Sequence, residues 1–167
     1  MDTAALKAAA IETLYLIAQA TDELDIKLLE GLFIPSRPIA VDVSGHLGHP
    51  PQDVLPAQLA QLLIKSISGF TATHHAITNP VVALEAAGDK ARVVAYKTAY
   101  HCIQTGDGIK SATARGKWDI EMEQFEGCWK VTNFTVSRTV PLLEEQLALW
   151  DVAKSRAADG QGREAKS

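Results

Sequence analysis

Two hydrophobic periods divide the chain. Within residues 3–20, and in two shorter segments that follow, apolar side chains recur every three or four positions, as in amphipathic helices. Asp25 and Asp53 precede the second and third segments and are placed to cap them. A short apolar run at Ile39–Val43 predicts a strand between these two helices. The first part of the chain is therefore predicted to be mainly helical.

From Thr71 onward the pattern changes to long runs typical of strands, separated by Gly-Asp and Glu-Gly turns. The predicted strands are Ala72–Ala86, Ala91–Ile103, Ser111–Gln124 and Trp129–Ser137. The third run alternates most clearly, with Trp118, Ile120 and Met122 on one face and charged residues on the other. Pro80 interrupts the first run and predicts a bulge or an edge position.

The end of the chain contains one more helical pattern. Pro141 is placed to open a helix that carries Leu143, Leu147 and Trp150 at helical spacing. Residues 156–167 lack periodicity and are predicted to be a disordered tail. Helices that precede a run of strands predict an α+β fold, as a single domain of residues 1–155. A curved antiparallel sheet would wrap the N-terminal helices and leave a concave mouth.

Composition narrows the function classes. Hydrophobic residues make up 47% of the 167 residues, and the net charge of −4 with no basic run argues against nucleic acid as a partner. The sequence has no membrane-span pattern and no leader pattern, so a cytoplasmic location is expected. Cys102 and Cys128 suit neither a disulfide framework nor a zinc site. Without a glycine-rich phosphate loop or metal-ligand spacing, we expect no cofactor and no metal.

Six segments carry a resemblance to a known family. They are Ala20–Asp25, Leu32–Phe33, Ile39–Gly45, Thr73–Pro80, Ala95–His101 and Gly127–Val131. In these segments the chain resembles the SnoaL-like group of the nuclear transport factor 2-like superfamily, which includes polyketide cyclases, scytalone dehydratase and related lyases and isomerases. The resemblance covers roughly residues 5 to 140. It implies a cone-shaped curved antiparallel sheet around the N-terminal helices, a C-terminal helix, and assembly as a homodimer or homotrimer.

Two histidines are the first candidates for catalysis. The scytalone dehydratase-like pattern places a histidine on each of two successive strands facing the pocket, and His75 and His101 match these positions. Histidine titrates near neutral pH, so one ring can remove a proton while the other delivers one. The alternative is a pair of hydrogen-bonded histidines within the sheet. His74 neighbours His75 and must point to the opposite face.

Two aspartates are candidate acid–base partners. In the dehydratase-like pattern an aspartate at the position of Asp22 forms the polar end of the pocket, although it could also satisfy loop amides. Asp42 resembles the general base of ketosteroid isomerases, since burial in an apolar cavity would raise its pKa. Its alternative role is to hold the Ser44-Gly45 turn.

Other residues are candidates for binding a substrate. Tyr15, Tyr96, Lys97, Asn133 and Trp118 could contribute hydrogen bonds or an apolar wall. Strict alternation places Lys97 on the same face as His101 and Tyr96 on the opposite face, unless a bulge intervenes. Tyr15 belongs to the apolar stripe of the first helix, where it could serve the core or the pocket.

These features predict a cofactor-independent lyase or isomerase. Acid–base catalysis would act on a small polyketide- or terpenoid-like secondary metabolite, by dehydration, double-bond migration or ring closure. Two alternatives remain open. One is an epoxide hydrolase that holds a water between Asp22 and Asp42, and the other is a non-catalytic module for ligand binding or dimerisation.

Overall fold

A computed structural model describes residues 2–166 of the chain. The helices are α1 (Thr3–Asp22), α2 (Ile26–Gly31), α3 (Ser44–Leu47), α4 (Pro56–Ile67) and α5 (Glu144–Ala158). The strands are β1 (Ile39–Asp42), β2 (Gln52–Val54), β3 (Ala72–Leu84), β4 (Lys90–Thr105), β5 (Gly108–Phe125) and β6 (Cys128–Arg138). None of these helices is long and apolar enough to cross a membrane.

The six strands form one sheet in the order β2-β1-β6-β5-β4-β3. Strands β3 to β6 form an antiparallel meander, as the sequence predicted. Strand β1 instead pairs with β6 in parallel, with Ala40 opposite Asn133, so the sheet is mixed rather than wholly antiparallel. The α+β class, the curved sheet, the N-terminal helices and the C-terminal helix are confirmed.

The core lies between the concave face of the sheet and the helices. Alternate residues of β4 and β5 are buried, because one face of each strand packs against helices while the other faces outward. Helix α1 contacts β3, β4 and β6, and α2 packs between α1 and α4. Phe33, Phe70 and Phe134 are among the largest fully buried side chains. The concave face is therefore both the core and the only face of the meander that is shielded by helices in residues 2–166.

Local sequence signals explain several element boundaries. Asp25 caps α2, since its carboxylate accepts a hydrogen bond from the backbone N–H of Leu28 at 2.9 Å. The bulge predicted at Pro80 is present, because the pairing of β3 with β4 shifts between Thr78 and Val81. Helix α4, the third helix predicted from the sequence, begins at Pro56 rather than directly after Asp53, because Gln52–Val54 pairs with β1 as strand β2.

The C-terminal segment differs from the sequence-based expectation of a disordered tail. Helix α5 continues to Ala158, past the predicted boundary at residue 155. Beyond it, Lys166 donates a backbone hydrogen bond to Leu24 and accepts one from Ile26. Backbone pairing of this kind needs no hydrophobic periodicity, so composition gave no sign of it.

Helix α5 approaches the turn after α4 closely at Gly69. A Cβ atom at this position would lie 1.7 Å from the carbonyl oxygen of Ala153, which is far inside contact distance. Arg156 also donates a hydrogen bond to the Gly69 carbonyl at 3.0 Å. The docking of α5 therefore requires glycine at position 69.

We expect Gly69→Ala to lower the free energy of unfolding by at least about 2 kcal/mol, because α5 must move away from the turn. Urea unfolding measures this change. Gly106→Ala is the matched control, since no atom lies within 4 Å of the Cβ it would add. Equal stability of the two variants would contradict the close approach.

Candidate active site

Strand register brings the two candidate histidines onto adjoining rows of the concave face. His75 of β3 pairs with Ala99 of β4, which pairs with Ala114 of β5. His101 of β4 lies one row along and pairs with Ala112 of β5. Directly paired residues point to the same face, so both imidazoles border a surface of alanine methyl groups. Their ring centroids are 5.7 Å apart.

Asp22, the last residue of α1, holds His75 through two hydrogen bonds. The backbone N–H of His75 donates to Asp22 Oδ2 at 2.7 Å, and His75 Nδ1 lies 2.7 Å from Asp22 Oδ1. The side chains of His75 and Asp22 are 6% and 19% exposed. A carboxylate can only accept here, so Nδ1 carries the proton and Nε2 of the neutral ring keeps its lone pair.

The charge states of this pair follow from burial and from each other. Burial alone would raise the pKa of Asp22, but the hydrogen bonds and charge of His75 outweigh it and lower that pKa. Burial lowers the pKa of His75, and the hydrogen bond to Asp22 offsets this only in part. The resting pair is therefore a carboxylate and a neutral imidazole, which is the state of a general base.

His101 is buried and also neutral. Its Nδ1 donates to the carbonyl of Ala99 at 3.1 Å, because a carbonyl can only accept. Its ring lies 4.8 Å from Phe70 and 4.7 Å from Trp150 between ring centroids. Burial first, and then the charges of His75 and Lys97, lower its pKa to about 3. A neutral ring with its proton on Nδ1 has none on Nε2, so His101 is poorly suited to the proton-donor role expected from the sequence.

Trp118 and Lys97 also lie on the concave face, as their alternation predicted. The indole of Trp118 stacks against His75 with centroids 6.1 Å apart. Lys97 is only 6% exposed, and its Nζ lies 6.0 Å from the centre of the Trp118 ring. Burial, followed by the charge of Arg138, lowers the pKa of Lys97 to about 8.

Two of the expected substrate-binding residues point away from this site. Tyr96 is 47% exposed on the outer face of the sheet, beneath the Nζ of Lys117 at 5.0 Å from its ring centre. No bulge occurs in β4 beside it, so strict alternation holds. Asn133 likewise shares the outer face with Thr135, from whose hydroxyl it accepts a hydrogen bond at 3.2 Å. Strand alternation therefore corrects both sequence-based assignments, since neither Tyr96 nor Asn133 faces the site.

Asp42 is not part of the site either. Its carboxylate lies at the surface at the end of β1 and accepts hydrogen bonds from the N–H and hydroxyl of Ser44, at 2.9 and 2.6 Å. These bonds lower its pKa, whereas a base desolvated in an apolar cavity would have a raised one. Asp42 therefore holds the turn into α3, and the predicted carboxylate pair with Asp22 is absent.

Tyr15 lies on the outer side of the Asp22–His75 pair. It is 46% exposed and lines a surface cavity of about 310 Å³ between α1 and β3. The same cavity is bordered by Asp22, His74 and His75.

Arg163, in the segment after α5, was missed by the sequence reasoning. Its guanidinium donates to the backbone carbonyl of Asp22 at 2.8 Å and to that of Phe70 at 3.0 Å. It also reaches the hydroxyl of Thr73 at 3.2 Å, two residues before His75. Arg163 thus fixes both elements that carry the Asp22–His75 pair. The sequence did not reveal this role, because Arg163 lies in a segment that has no hydrophobic periodicity and was predicted to be disordered.

The described side chains suit acid–base chemistry. Across residues 2–166, no cluster of three or more histidine, cysteine, aspartate or glutamate residues is arranged to hold a metal ion. The arrangement contains one oriented base in a buried interior walled by aromatic rings, with two basic residues, Lys97 and Arg138, on the same face.

Comparisons with known proteins identify relatives of this chain. The sequence model of the SnoaL-like domain family matches residues 2–135. The solved structure of Kfla4162 from Kribbella flavida is 26% identical and superposes with a TM-score of 0.78, covering 89% of this chain and 99% of that one. No curated protein sequence matches the chain.

Two further structures share the fold at low identity. One is a Streptomyces avermitilis protein provisionally named as a dehydratase of the NTF2-like family, with 12% identity, a TM-score of 0.72, and coverage of 84% of this chain and 100% of that one. The other, from Novosphingobium aromaticivorans, is provisionally named as a scytalone dehydratase, with 15% identity, a TM-score of 0.64, and coverage of 80% and 83%. The resemblance inferred from the sequence is confirmed.

The buried His101 makes stability depend on pH. The folded ring protonates only near pH 3, whereas the unfolded one protonates near its ordinary value of 6.5. Between these values the unfolded state binds more protons, so stability falls as the pH falls, with a slope of about 1.4 kcal/mol per pH unit for each such group. We expect His101→Phe to reduce this slope in urea unfolding measured at a series of pH values. An unchanged slope in His101→Phe would contradict the assignment.

Proposed function

The chain belongs to the SnoaL-like domain family, and from its Asp22–His75 pair we propose that it is a cofactor-independent lyase or isomerase that removes a proton from carbon. One observation carries the proposal. Asp22 accepts hydrogen bonds from both the backbone and the ring of His75, which leaves Nε2 as an oriented base.

The proposed reaction begins when His75 Nε2 takes a proton from a carbon beside a carbonyl group. The ring becomes an imidazolium, and the carboxylate of Asp22 stabilises that charge across the 2.7 Å hydrogen bond. The electron pair released from the C–H bond forms an enolate. The proton then passes from Nε2 either to a leaving hydroxyl, which departs as water, or to another carbon of the same molecule.

His101 has a different role in this proposal from that of a general acid. Its Nδ1–H is committed to the carbonyl of Ala99, so Nε2 can accept a hydrogen bond from a substrate hydroxyl. Accepting that bond would orient the hydroxyl next to His75. One residue, His75, therefore carries the proton in both directions.

The surroundings favour a small, largely apolar substrate. Aromatic rings of Phe70, Trp118 and Trp150 surround the two imidazoles at 4.7 to 6.1 Å between centroids. A polyketide- or terpenoid-like metabolite with a carbonyl and few charges would fit these walls. The provisional dehydratase names of two structural neighbours are consistent with this class.

We expect a generic carbon-acid probe to report the base. Nitrobenzisoxazole loses its ring C–H proton to a base as the N–O bond breaks, and it releases a coloured nitrophenolate. His75→Ala should lower kcat/KM for this elimination by at least about 100-fold, the usual contribution of a positioned base. His74→Ala, which changes the neighbouring histidine on the outer face, is the matched control.

Full activity in a folded His75→Ala protein would contradict the proposal. Absence of turnover by the wild type, together with saturable binding of the probe, would instead favour the alternative of a non-catalytic binding module. Circular dichroism of each variant shows whether the fold is retained.

The pH profile provides a second prediction. The activity requires neutral His75, whose pKa is lowered by burial, so the acid limb of kcat/KM should lie below pH 6.5. Asp22 raises the pKa of His75, so Asp22→Asn should move this limb to lower pH while also lowering the plateau. A limb that moves to higher pH in Asp22→Asn would contradict the coupling of the pair.

A further inference from the structure

Lys97, Gly116 and Arg138 form a row across the concave face next to the row of His75. Lys97 of β4 pairs directly with Gly116 of β5, which pairs directly with Arg138 of β6. Directly paired residues share a face, so the two basic side chains flank a position without a side chain. Glycine is required there, because a Cβ would lie 2.1 Å from the backbone oxygen of Ser137.

Two buried polar atoms at this row and beside it lack hydrogen-bond partners among residues 2–166. No carboxylate oxygen of that range lies within 4.0 Å of Lys97 Nζ, although Lys97 is only 6% exposed. Arg138 donates one hydrogen bond, from Nη2 to the backbone carbonyl of His46 at 2.6 Å, while its buried Nε has no partner. The buried Nδ1 of His46 in α3 is also unpaired. Buried polar groups are nearly always hydrogen-bonded, so these two atoms are available to hold a polar group of a ligand.

We propose that Lys97, Arg138 and His46 bind an anionic oxygen of the substrate, at the opposite end of the site from Asp22. The proposal rests on the proposed function, since it names the charge of the molecule that His75 deprotonates. An anionic oxygen would compensate two neighbouring positive charges that no carboxylate of the described chain neutralises.

The charges of the three residues suit this role. Lys97 with a pKa of about 8 remains mostly protonated at neutral pH. Burial, together with Lys97 and Arg138, lowers the pKa of His46 to about 3, so this ring is neutral and can donate or accept a hydrogen bond. Lys97, Arg138 and His46 would therefore supply two cations and one neutral polar ring for binding an anionic oxygen.

The distance between the rows suits an enolate. Lys97 and Ala99 are two residues apart on β4, so the row of Lys97 and the row of His75 are separated by about 7 Å along the strands. A base on one row and a cation on the next can reach a C–H group and the oxygen of its adjacent carbonyl in one small molecule. Electron density released at His75 would then collect beside Lys97.

Two sources of the anionic oxygen share this chemistry. The oxygen is either a carboxylate that the substrate carries before reaction or the enolate oxygen that develops during proton removal. Benzoate probes the first source, since its charge is permanent. The nitrobenzisoxazole elimination probes the second, since its negative oxygen develops only as the N–O bond breaks.

The test compares Lys97→Met with wild type, using Lys117→Met as the matched control on the outer face of the neighbouring strand. We expect Lys97→Met to weaken binding of para-nitrophenolate by about tenfold to a hundredfold, measured by absorbance titration, while binding of uncharged nitrobenzene stays the same. Lys117→Met should leave both affinities unchanged. Weaker benzoate binding as well identifies a permanent carboxylate, whereas a lower kcat with unchanged KM in the elimination identifies a developing oxyanion.

A purely structural role for Lys97 predicts a different pattern. If Lys97 makes a structural contact, Lys97→Met should lower the thermal midpoint. If Lys97 serves the anion site, the midpoint should rise, because an apolar side chain replaces a charge that no carboxylate neutralises. Lys97→Arg, which keeps the charge, should retain nitrophenolate binding.

Equal affinity of wild type and Lys97→Met for para-nitrophenolate would overturn the proposal. Trapping of a cyclic ketone on Lys97 by borohydride would also overturn it, because the lysine would then act as a nucleophile through an imine. Neither result depends on His75, since both are measured without turnover. A failed binding test with intact His75-dependent elimination therefore rejects the anion site alone, and the converse result rejects the base alone.

Discussion

The hydrogen bonds between Asp22 and His75 connect the last residue of α1 to β3, an edge strand of the sheet. One carboxylate accepts from the backbone and from the ring of the same residue, so both the position and the rotation of the imidazole are set by the end of a helix. Arg163 donates hydrogen bonds to the backbone carbonyl of Asp22 and to the hydroxyl of Thr73 in β3, the strand that carries His75. The orientation of the base is thus a property of how α1, β3 and the C-terminal segment pack, and no single loop controls it.

This packing produces an unusual balance of charge within the concave face. Lys97 and Arg138 lie inside it, and the pKa values of His46, His75 and His101 are all lowered there. Burial is the largest cause for each histidine, and the charge of Lys97 further disfavours protonation of all three. A buried interior that resists gaining positive charge, yet holds two cations, favours negative charge placed beside them.

The sequence predicted the parts of this site that depend on strand parity. Once β4 was recognised, Lys97 and His101 had to share a face, and no bulge in this strand reverses that. The Asp22–His75 contact spans 53 positions of the chain. Family resemblance assigned both residues to the pocket, but it left open whether Asp22 or Asp42 is the acidic partner of His75. The role of Asp42 is set by its hydrogen bond with Ser44 in the turn after β1. The short strand β2 replaces the expected start of α4. Arg163 was not predictable from composition, because its partners are backbone carbonyls that leave no pattern in the sequence.

Strand parity also has an evolutionary consequence. A single-residue insertion or deletion within β4 would reverse the facing of every residue on one side of the change. Depending on its position, Tyr96 or Tyr100 would then point inward, and Lys97 or His101 would point outward. The β4–β5 turn at Gly106 is free of such a constraint, since no neighbouring atom crowds it. Homologous chains should therefore differ in the length of their hairpin turns, while the number of residues between Lys97 and His101 stays fixed.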